Sequence, residues 1–231
     1  MAGIPDRDAL ASIVASRGEV VTKESLLTAL CRGKRVLDIG CIDHSVDVAM
    51  RLGDRWMHRQ ICAVALEVVG VDILDEAVAA MRALGFEMVV ADAQAFDLRR
   101  TFDVIVAGDI IEHVPNPGLL LASALRHCHD DSVVVVTTPN AFSFMRFAKA
   151  GLRNRVSVNS DHVAWFDPLT LARLAEKSGF SVDAFQWIDT RYGQLSRRRL
   201  LGRLGSVLDR FVTQARPVLR ADFAMVLRPA S

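Results

Sequence analysis

At 231 residues, with 51% hydrophobic and 24% charged side chains, the chain is large enough for one domain with a sizeable core, and its composition is ordinary for a globular protein. A net charge of +1 gives no global attraction to nucleic acid, and no uninterrupted apolar run reaches membrane-spanning length. Asp6, Arg7 and Asp8 exclude a signal-peptide pattern at the start, and Cys31, Cys41, Cys62 and Cys128 lack paired metal spacing, so a cytoplasmic protein with reduced thiols is expected.

Residues 5–32 read as one or two helices, with Asp6 as a cap and Leu10, Ile13 and Val14 on one face. Arg35-Val36-Leu37-Asp38-Ile39 is a short apolar run suited to a strand buried on both faces. Gly40 ends it where a chain turns with positive φ or passes close to a ligand. Val46–Leu52 and Arg55–Leu66 return to helical spacing. Strand, glycine turn and helix together present backbone N–H groups to a nucleotide at the strand's carboxyl end. Val68 to Ile73 is a second buried strand, and Asp72 near its tip can accept both hydroxyls of a ribose. Asp72 follows Gly40 by 32 residues, against about 20 in dinucleotide folds, so the first crossover is enlarged. Glu76–Leu84 is a helix closed by Gly85, and Phe86–Val90 a third strand leading into Ala91-Asp92-Ala93. Thr101–Gly108 and Ser132–Thr138 are the fourth and fifth strands, with a helix over Leu119–His127 between them. A helix over Pro168–Ser178 precedes two late strands, Phe180–Trp187 and Asp222–Arg228. Such alternation with short loops specifies an α/β, doubly wound parallel sheet.

The stretch Leu37-Asp38-Ile39-Gly40-Cys41 resembles the first motif of class I S-adenosylmethionine-dependent methyltransferases, a hydrophobic-Leu-Asp-hydrophobic-Gly-Cys-Gly sequence followed by a small residue and Gly. Asp38, Gly40 and Cys41 are kept, whereas Ile42 and His44 stand where the family carries glycines. Gly40, Asp72 and Asp92 fall at the tips of strands one, two and three in the family's order. A nicotinamide-binding fold would want the G-x-G-x-x-G absent here. The resemblance covers roughly residues 33–228. It implies a Rossmann-like sheet of seven strands, mostly parallel with the last antiparallel, in a single domain over residues 1–231 with residues 1–32 as an N-terminal helical cap. It also implies S-adenosyl-L-methionine as cofactor, held by Asp38, Gly40, Cys41, Asp72, Ile73, Asp92, Ala93 and Gly108. Asp72 would take the ribose and Asp92 the adenine amino group.

After the fourth strand, Asp109, Glu112 and His113 fall at i, i+3 and i+4, so one helical turn would gather them on one face. This acid-x-x-Glu-His pattern resembles that of ubiquinone-biosynthesis O-methyltransferases and small-RNA 3′-end 2′-O-methyltransferases. The later run Asn159-x-Asp161-His162-x-x-Trp165-Phe166-x-Pro168 resembles bacterial sugar and natural-product methyltransferases. In the RNA enzymes such acids and histidines bind a divalent cation. By that resemblance Asp109, Glu112, His113 and His162 form a mixed oxygen and imidazole set for Mg²⁺ or Mn²⁺. Two roles compete for the catalytic residues His113, His162 and Asp109. Either a metal holds and acidifies the acceptor hydroxyl, or His113 or His162 takes its proton as general base. The plain alternative is that Glu112 and His113 only cap a helix and line the pocket. The Asn/Asp-Pro-Pro-Tyr sequence of N-directed families is missing here, which favours oxygen as the acceptor atom.

The expected activity is O-methylation of a hydroxyl on a small molecule, a sugar or natural-product metabolite. The alternatives are metal-dependent 2′-O-methylation of an RNA end, which the near-neutral charge disfavours, and a non-catalytic cofactor-binding or scaffold protein. Asp43 and His44 read as loop surface, and His58, His127 and His129 also as surface. Residues 191–220 form a basic insertion with eight arginines against one acid, Asp209. Leu200, Leu201, Leu204, Val207, Leu208, Phe211 and Val212 repeat there at helical spacing, opposite Arg199, Arg203 and Arg210. This reads as an amphipathic helix packed on the body with its arginines solvated, so peripheral membrane contact is not expected. A role as a wall of the acceptor site, and assembly into a homo-oligomer, both stay open.

Overall fold

The structure, a computed structural model, describes residues 3–4, 6–42, 45–154, 156, 159–189 and 200–230. Its strands are β1 (Val20–Val21), β2 (Arg35–Ile39), β3 (Glu67–Asp72), β4 (Met88–Val90), β5 (Phe102–Gly108), β6 (Cys128–Pro139), β7 (Phe180–Ile188) and β8 (Asp222–Pro229). They form one sheet in the order β1-β7-β8-β6-β5-β2-β3-β4. Every pairing is parallel except those of β8, which runs antiparallel to both β6 and β7. The last strand thus enters as expected, and the sheet gains one strand over the expected seven. That extra strand is two residues of the N-terminal segment, which pair with the β7 edge through Val20 and Val21. Two residues leave no periodic signal, which is why the sequence shows only helix there.

The central strands are buried on both faces, and their side chains alternate between two cores. Leu37 and Ile39 of β2 join Ile105, Ala107, Val134 and Val136 on one side. Val36 joins Val104, Val106, Val135 and Val226 on the other. Helices α1 (Arg7–Ala15), α6 (Pro117–Arg126) and α8 (Pro168–Lys177) contribute to the first core, and α2 (Lys23–Cys31) and α4 (Met57–Cys62) to the second. Local chemistry starts these helices where the chain needs them. Asp6 accepts from the Ala9 amide at the head of α1, Thr22 from Ser25 at α2, and Asn116 from Leu119 at α6, where Pro117 follows the cap. Asp167 forms a capping box with Thr170 at α8.

Helices α3 (Val46–Leu52) and α5 (Asp75–Ala83) flank β3 and β4. The enlarged first crossover is α3, a 3-10 turn at Gly53–Arg55, and α4, a shorter helical content than the expected Arg55–Leu66. Helix α7 (Phe144–Arg153) follows β6 where the sequence suggested no element, and α9 (Leu200–Ala215) lies in the basic insertion. No helix among the described residues is long and apolar enough to cross a membrane. Strand order reverses between β2 and β5, so the carboxyl ends of β2 to β6 share one edge with a crevice at the switch point.

Candidate active site

At the tip of β2, Gly40 has φ +70°, and an added Cβ would lie 2.9 Å from the Ile110 side chain. Only glycine fits there. The Gly40 amide donates to the Val71 carbonyl at 2.8 Å, which bends the chain over the end of β3. Asp72, 7% exposed, accepts from the Ile42 amide at 2.9 Å and from the Leu74 amide at 3.1 Å. Burial pushes its carboxyl above the ordinary value, and these amides oppose that push. Ile73 beside it exposes an apolar surface at the crevice. Asp92 follows β4, is exposed, and accepts from the backbone and side-chain nitrogens of Gln94. Ala93 is half-buried behind it. Gly40, Asp72 and Asp92 therefore stand along one edge at three successive strand tips. Asp43 and His44 lie outside the described residues.

Two neighbours from the enlarged crossover brace this loop, and the sequence reading missed both. The Trp56 indole donates to the Cys41 carbonyl at 2.9 Å. His58 Nδ1 meets Asp38 Oδ2 at 2.8 Å, with both residues buried. Burial alone would lower the His58 pKa. The Asp38 hydrogen bond, joined by Cys62, overcomes that and lifts it to about 9. His58 is thus a correction to the surface reading: it sits 1% exposed between Trp56 and Phe86. The spacing of Trp56, Met57 and Ile61 along one apolar helix face was the available signal. Cys41 is buried, and its thiol is pushed well up by that burial. It lies so close to Gly70 that a Cβ there would sit 2.7 Å from its sulfur.

His127 is the second correction. It is fully buried, stacks on Phe96 at 4.6 Å, accepts from the Leu98 amide and donates to the Ser123 carbonyl. Burial lowers its pKa, and a ring nitrogen that accepts from an amide carries no proton, so His127 is a packing residue. His129 is half-exposed against Asp103.

Beyond β5 the expected helical turn does not form. Asp109 adopts φ +51°, and the chain passes through tight turns to Val114. This separates the acid-x-x-Glu-His residues. Asp109 Oδ2 pairs with Lys23 Nζ at 2.7 Å, and its Oδ1 accepts from Thr137 Oγ1 at 2.8 Å. Desolvation works to raise the Asp109 carboxyl, although its side chain keeps 44% of its surface exposed; Lys23 and Thr137 prevail and hold it below the ordinary value. Asp109 lines a cleft with Lys23, Thr137, Ile188, Asp189 and Asp222. Glu112 instead turns inward, 1% exposed, with Oε2 accepting from Thr138 Oγ1 at 2.9 Å and Oε1 buried without a hydrogen-bond partner. Burial, followed by the charge of Asp109, lifts its carboxyl to about 8.

The run after Asn159 closes over Glu112. The Val163 amide donates to the Glu112 carbonyl at 2.9 Å, and His113 Nδ1 donates to the Asp161 carbonyl at 3.2 Å. The rings of His113 and His162 meet edge to face at 4.6 Å, and His162 leans on Trp165 at 5.5 Å. His162 Nδ1 is buried and unpartnered, and burial, then His113 and Arg146, lower its pKa. One donor atom from each of Glu112, His113 and His162 lies within 4.8 Å of the others. Of the four residues suggested for a metal, the structure gathers these three and sends Asp109 to Lys23. A carboxyl group and two imidazoles, with one oxygen and one nitrogen left unsatisfied, make a set that suits Mn²⁺ or another transition-metal ion; with Asp109 drawn away it is too poor in oxygen for the expected Mg²⁺.

The family model for a methyltransferase domain matches residues 19–184 of this chain. A ubiquinone biosynthesis O-methyltransferase of Aeromonas salmonicida is 24% identical over 184 residues, 74% of this chain and 72% of that protein. Among solved structures, a SAM-dependent methyltransferase from Archaeoglobus fulgidus superposes with a TM-score of 0.54 at 18% identity, covering 89% of this chain and 94% of the other. Magnesium protoporphyrin IX methyltransferase from Synechocystis, solved with bound SAH, gives 0.56 at 13% identity, with coverage of 97% and 83%. Likeness at such identity fixes the fold.

Proposed function

The chain belongs to the methyltransferase domain family, as an S-adenosylmethionine-dependent methyltransferase of class I fold, and we propose that it methylates a hydroxyl of a small molecule with the Glu112, His113 and His162 cluster as its acceptor site. The observation that carries this reading is the pair of unmet polar atoms, Glu112 Oε1 and His162 Nδ1, in a cluster that is otherwise well packed. Buried groups are rarely left unpaired unless a ligand completes them. Relatives named for O-methylation support oxygen as the acceptor atom.

On this reading the cofactor lies across the strand tips, with Asp72 on the ribose hydroxyls, Asp92 at the adenine, and Asp38, Gly40, Cys41, Ile73, Ala93 and Gly108 shaping the crevice. Most of the rate comes from aligning the acceptor oxygen with the methyl carbon and the sulfonium. The oxygen lone pair forms the new C–O bond as the S–CH3 bond breaks, the electron pair leaves on sulfur, and S-adenosylhomocysteine departs. The hydroxyl proton needs a base, and His162 Nδ1 is the open acceptor in the cluster. Glu112 and His113 fix that imidazole and the acceptor beside it. Should a divalent cation be resident, Glu112, His113 and His162 are the residues to hold it, and it would lower the hydroxyl pKa.

Acceptor screening decides the class. A panel of sugars, glycosylated metabolites and phenols, assayed for S-adenosylhomocysteine release with and without EDTA, tests the reading directly. Turnover of one of them that His162→Ala reduces by about a hundredfold is the expected result. Turnover untouched by both His162→Ala and Glu112→Gln would remove the cluster from the reaction.

A further inference from the structure

We propose that α7 and α9 form an interfacial surface that seats the protein on an anionic lipid bilayer. The two helices pack against each other, with Gly205 of α9 facing Met145 of α7. In α9 the side turned to the protein is small and polar: Gly205, Ser206 and Asp209 are half-buried and Thr213 is 6% exposed. Residues four apart share a helix face, so the opposite side carries the apolar stripe. Val207, Leu208 and Phe211 are 68%, 53% and 71% exposed. For these three residues this corrects the expectation that the stripe packs on the body; Val212 is half-buried. Arg199 and the start of the insertion lie outside the described residues.

The neighbouring helix repeats the arrangement. Phe147 is 76% and Leu152 87% exposed, and Phe142 just before α7 is 61% exposed. A cluster of large apolar side chains turned outward on two adjacent helices marks an interaction face. Charge selects the partner. Residues 132–160 contain no acid, and among the described residues Lys149 of α7, Arg210 of α9 and Arg216 just after it are exposed, while Asp209 is half-buried. Two copies meeting through this face would set basic segments against each other, whereas apolar side chains flanked by cations match the acyl and headgroup layers of an anionic bilayer. The face also borders the candidate acceptor site. The Arg146 guanidinium lies 4.3 Å over Trp165, which touches His162.

The test is co-sedimentation of the full chain with vesicles of phosphatidylcholine alone or mixed with phosphatidylglycerol. The expected result is binding to the mixed vesicles that weakens in high salt and falls by about tenfold or more in the double variant Phe147→Glu, Phe211→Glu. Unchanged S-adenosylhomocysteine binding shows that this variant is folded, because neither residue belongs to the cofactor crevice. Failure of the native chain to bind mixed vesicles overturns the proposal, as does equal binding by the double variant. A native dimer in size-exclusion chromatography that the double variant converts to monomer also overturns it and assigns the face to a second copy.

Discussion

The two halves of the crevice are finished to different degrees. On the proposed cofactor side the buried carboxylates already have partners: Ile42 and Leu74 amides on Asp72, His58 on Asp38, with Trp56 tying the Cys41 carbonyl; the atom left unmet there, His58 Nε2, belongs to a brace and has Cys62 beside it. On the acceptor side Glu112 and His162 each bury an atom with nothing to bond. A network whose carboxylates are all met holds its shape before any ligand arrives. An open one carries a standing cost that a ligand removes. The contrast predicts that removing side chains from the cofactor half is destructive, while in the acceptor half it stabilises the fold and harms only turnover.

The sharpest test of the closed half is Asp72→Ala. It strips two amides of their acceptor and removes the carboxylate proposed for the ribose. Calorimetric titration with S-adenosylhomocysteine should show affinity lower by about a thousandfold, or about 4 kcal/mol. Affinity within about threefold of the native protein would mean that Asp72 serves only the loop.

His58→Asn comes next, because it leaves Asp38 buried without its cation at a cost of about 3 kcal/mol in urea denaturation. The pH dependence carries the sign. A folded-state pKa of about 9, raised above the ordinary 6.5, gives stability that is fully present below about pH 6.5 and lost as pH rises through about 9. Native protein should lose stability across that window, and His58→Asn should not. Parallel curves for the two proteins would show that the pair is neutral in the fold.

How much of this was legible in the sequence follows from the same contrast. The cofactor half could be read because each strand tip is a local signal, an apolar run ending in Gly40, Asp72 or Asp92, and those runs became β2, β3 and β4. Its braces could not, since Trp56 and His58 reach Cys41 and Asp38 only after the enlarged crossover folds back. The acceptor half was read through i, i+3, i+4 spacing, which assumes a helix. A left-handed Asp109 broke that assumption and redirected its carboxylate to Lys23, 86 residues away in sequence. His162 still reached His113, because the segment after Asn159 docks its backbone on Glu112. The outward turn of Val207, Leu208 and Phe211 in α9 escapes the sequence for a different reason. Periodicity shows that a helix has an apolar side, but which side faces the body depends on the partner, and here Gly205 and Thr213 make the closer fit.

In the open half, Glu112→Gln should raise stability. The Glu112 carboxyl at about 8 lies above its ordinary 4.5, so the folded state holds a proton that the unfolded chain releases. Native stability is therefore highest below about pH 4.5 with respect to this group and declines until about pH 8. Glutamine has no such proton to lose. In EDTA at pH 8 the variant should exceed the native protein by about 2 kcal/mol while its turnover falls. A loss of stability at that pH would show that Glu112 holds the fold together and would place the acceptor half in the same class as the cofactor half.

The smallest effect is expected where the halves meet, at Lys23. Its ammonium ties the start of α2, in the N-terminal segment, to Asp109 after β5, and both side chains remain partly exposed at 29% and 44%. Water screens such a pair, so Lys23→Ala should cost only about 0.5 kcal/mol of stability. Asp109 would lose the cation that holds its carboxyl down, while Thr137 still donates to it. With Lys23 gone, the Asp109 charge acts more strongly on Glu112, which already feels it, and the Glu112 titration should move further upward. The stability decline attributed to Glu112 should then extend to higher pH in Lys23→Ala than in the native protein. An unmoved decline would mean that Asp109 and Glu112 titrate independently, each belonging to a different part of the crevice.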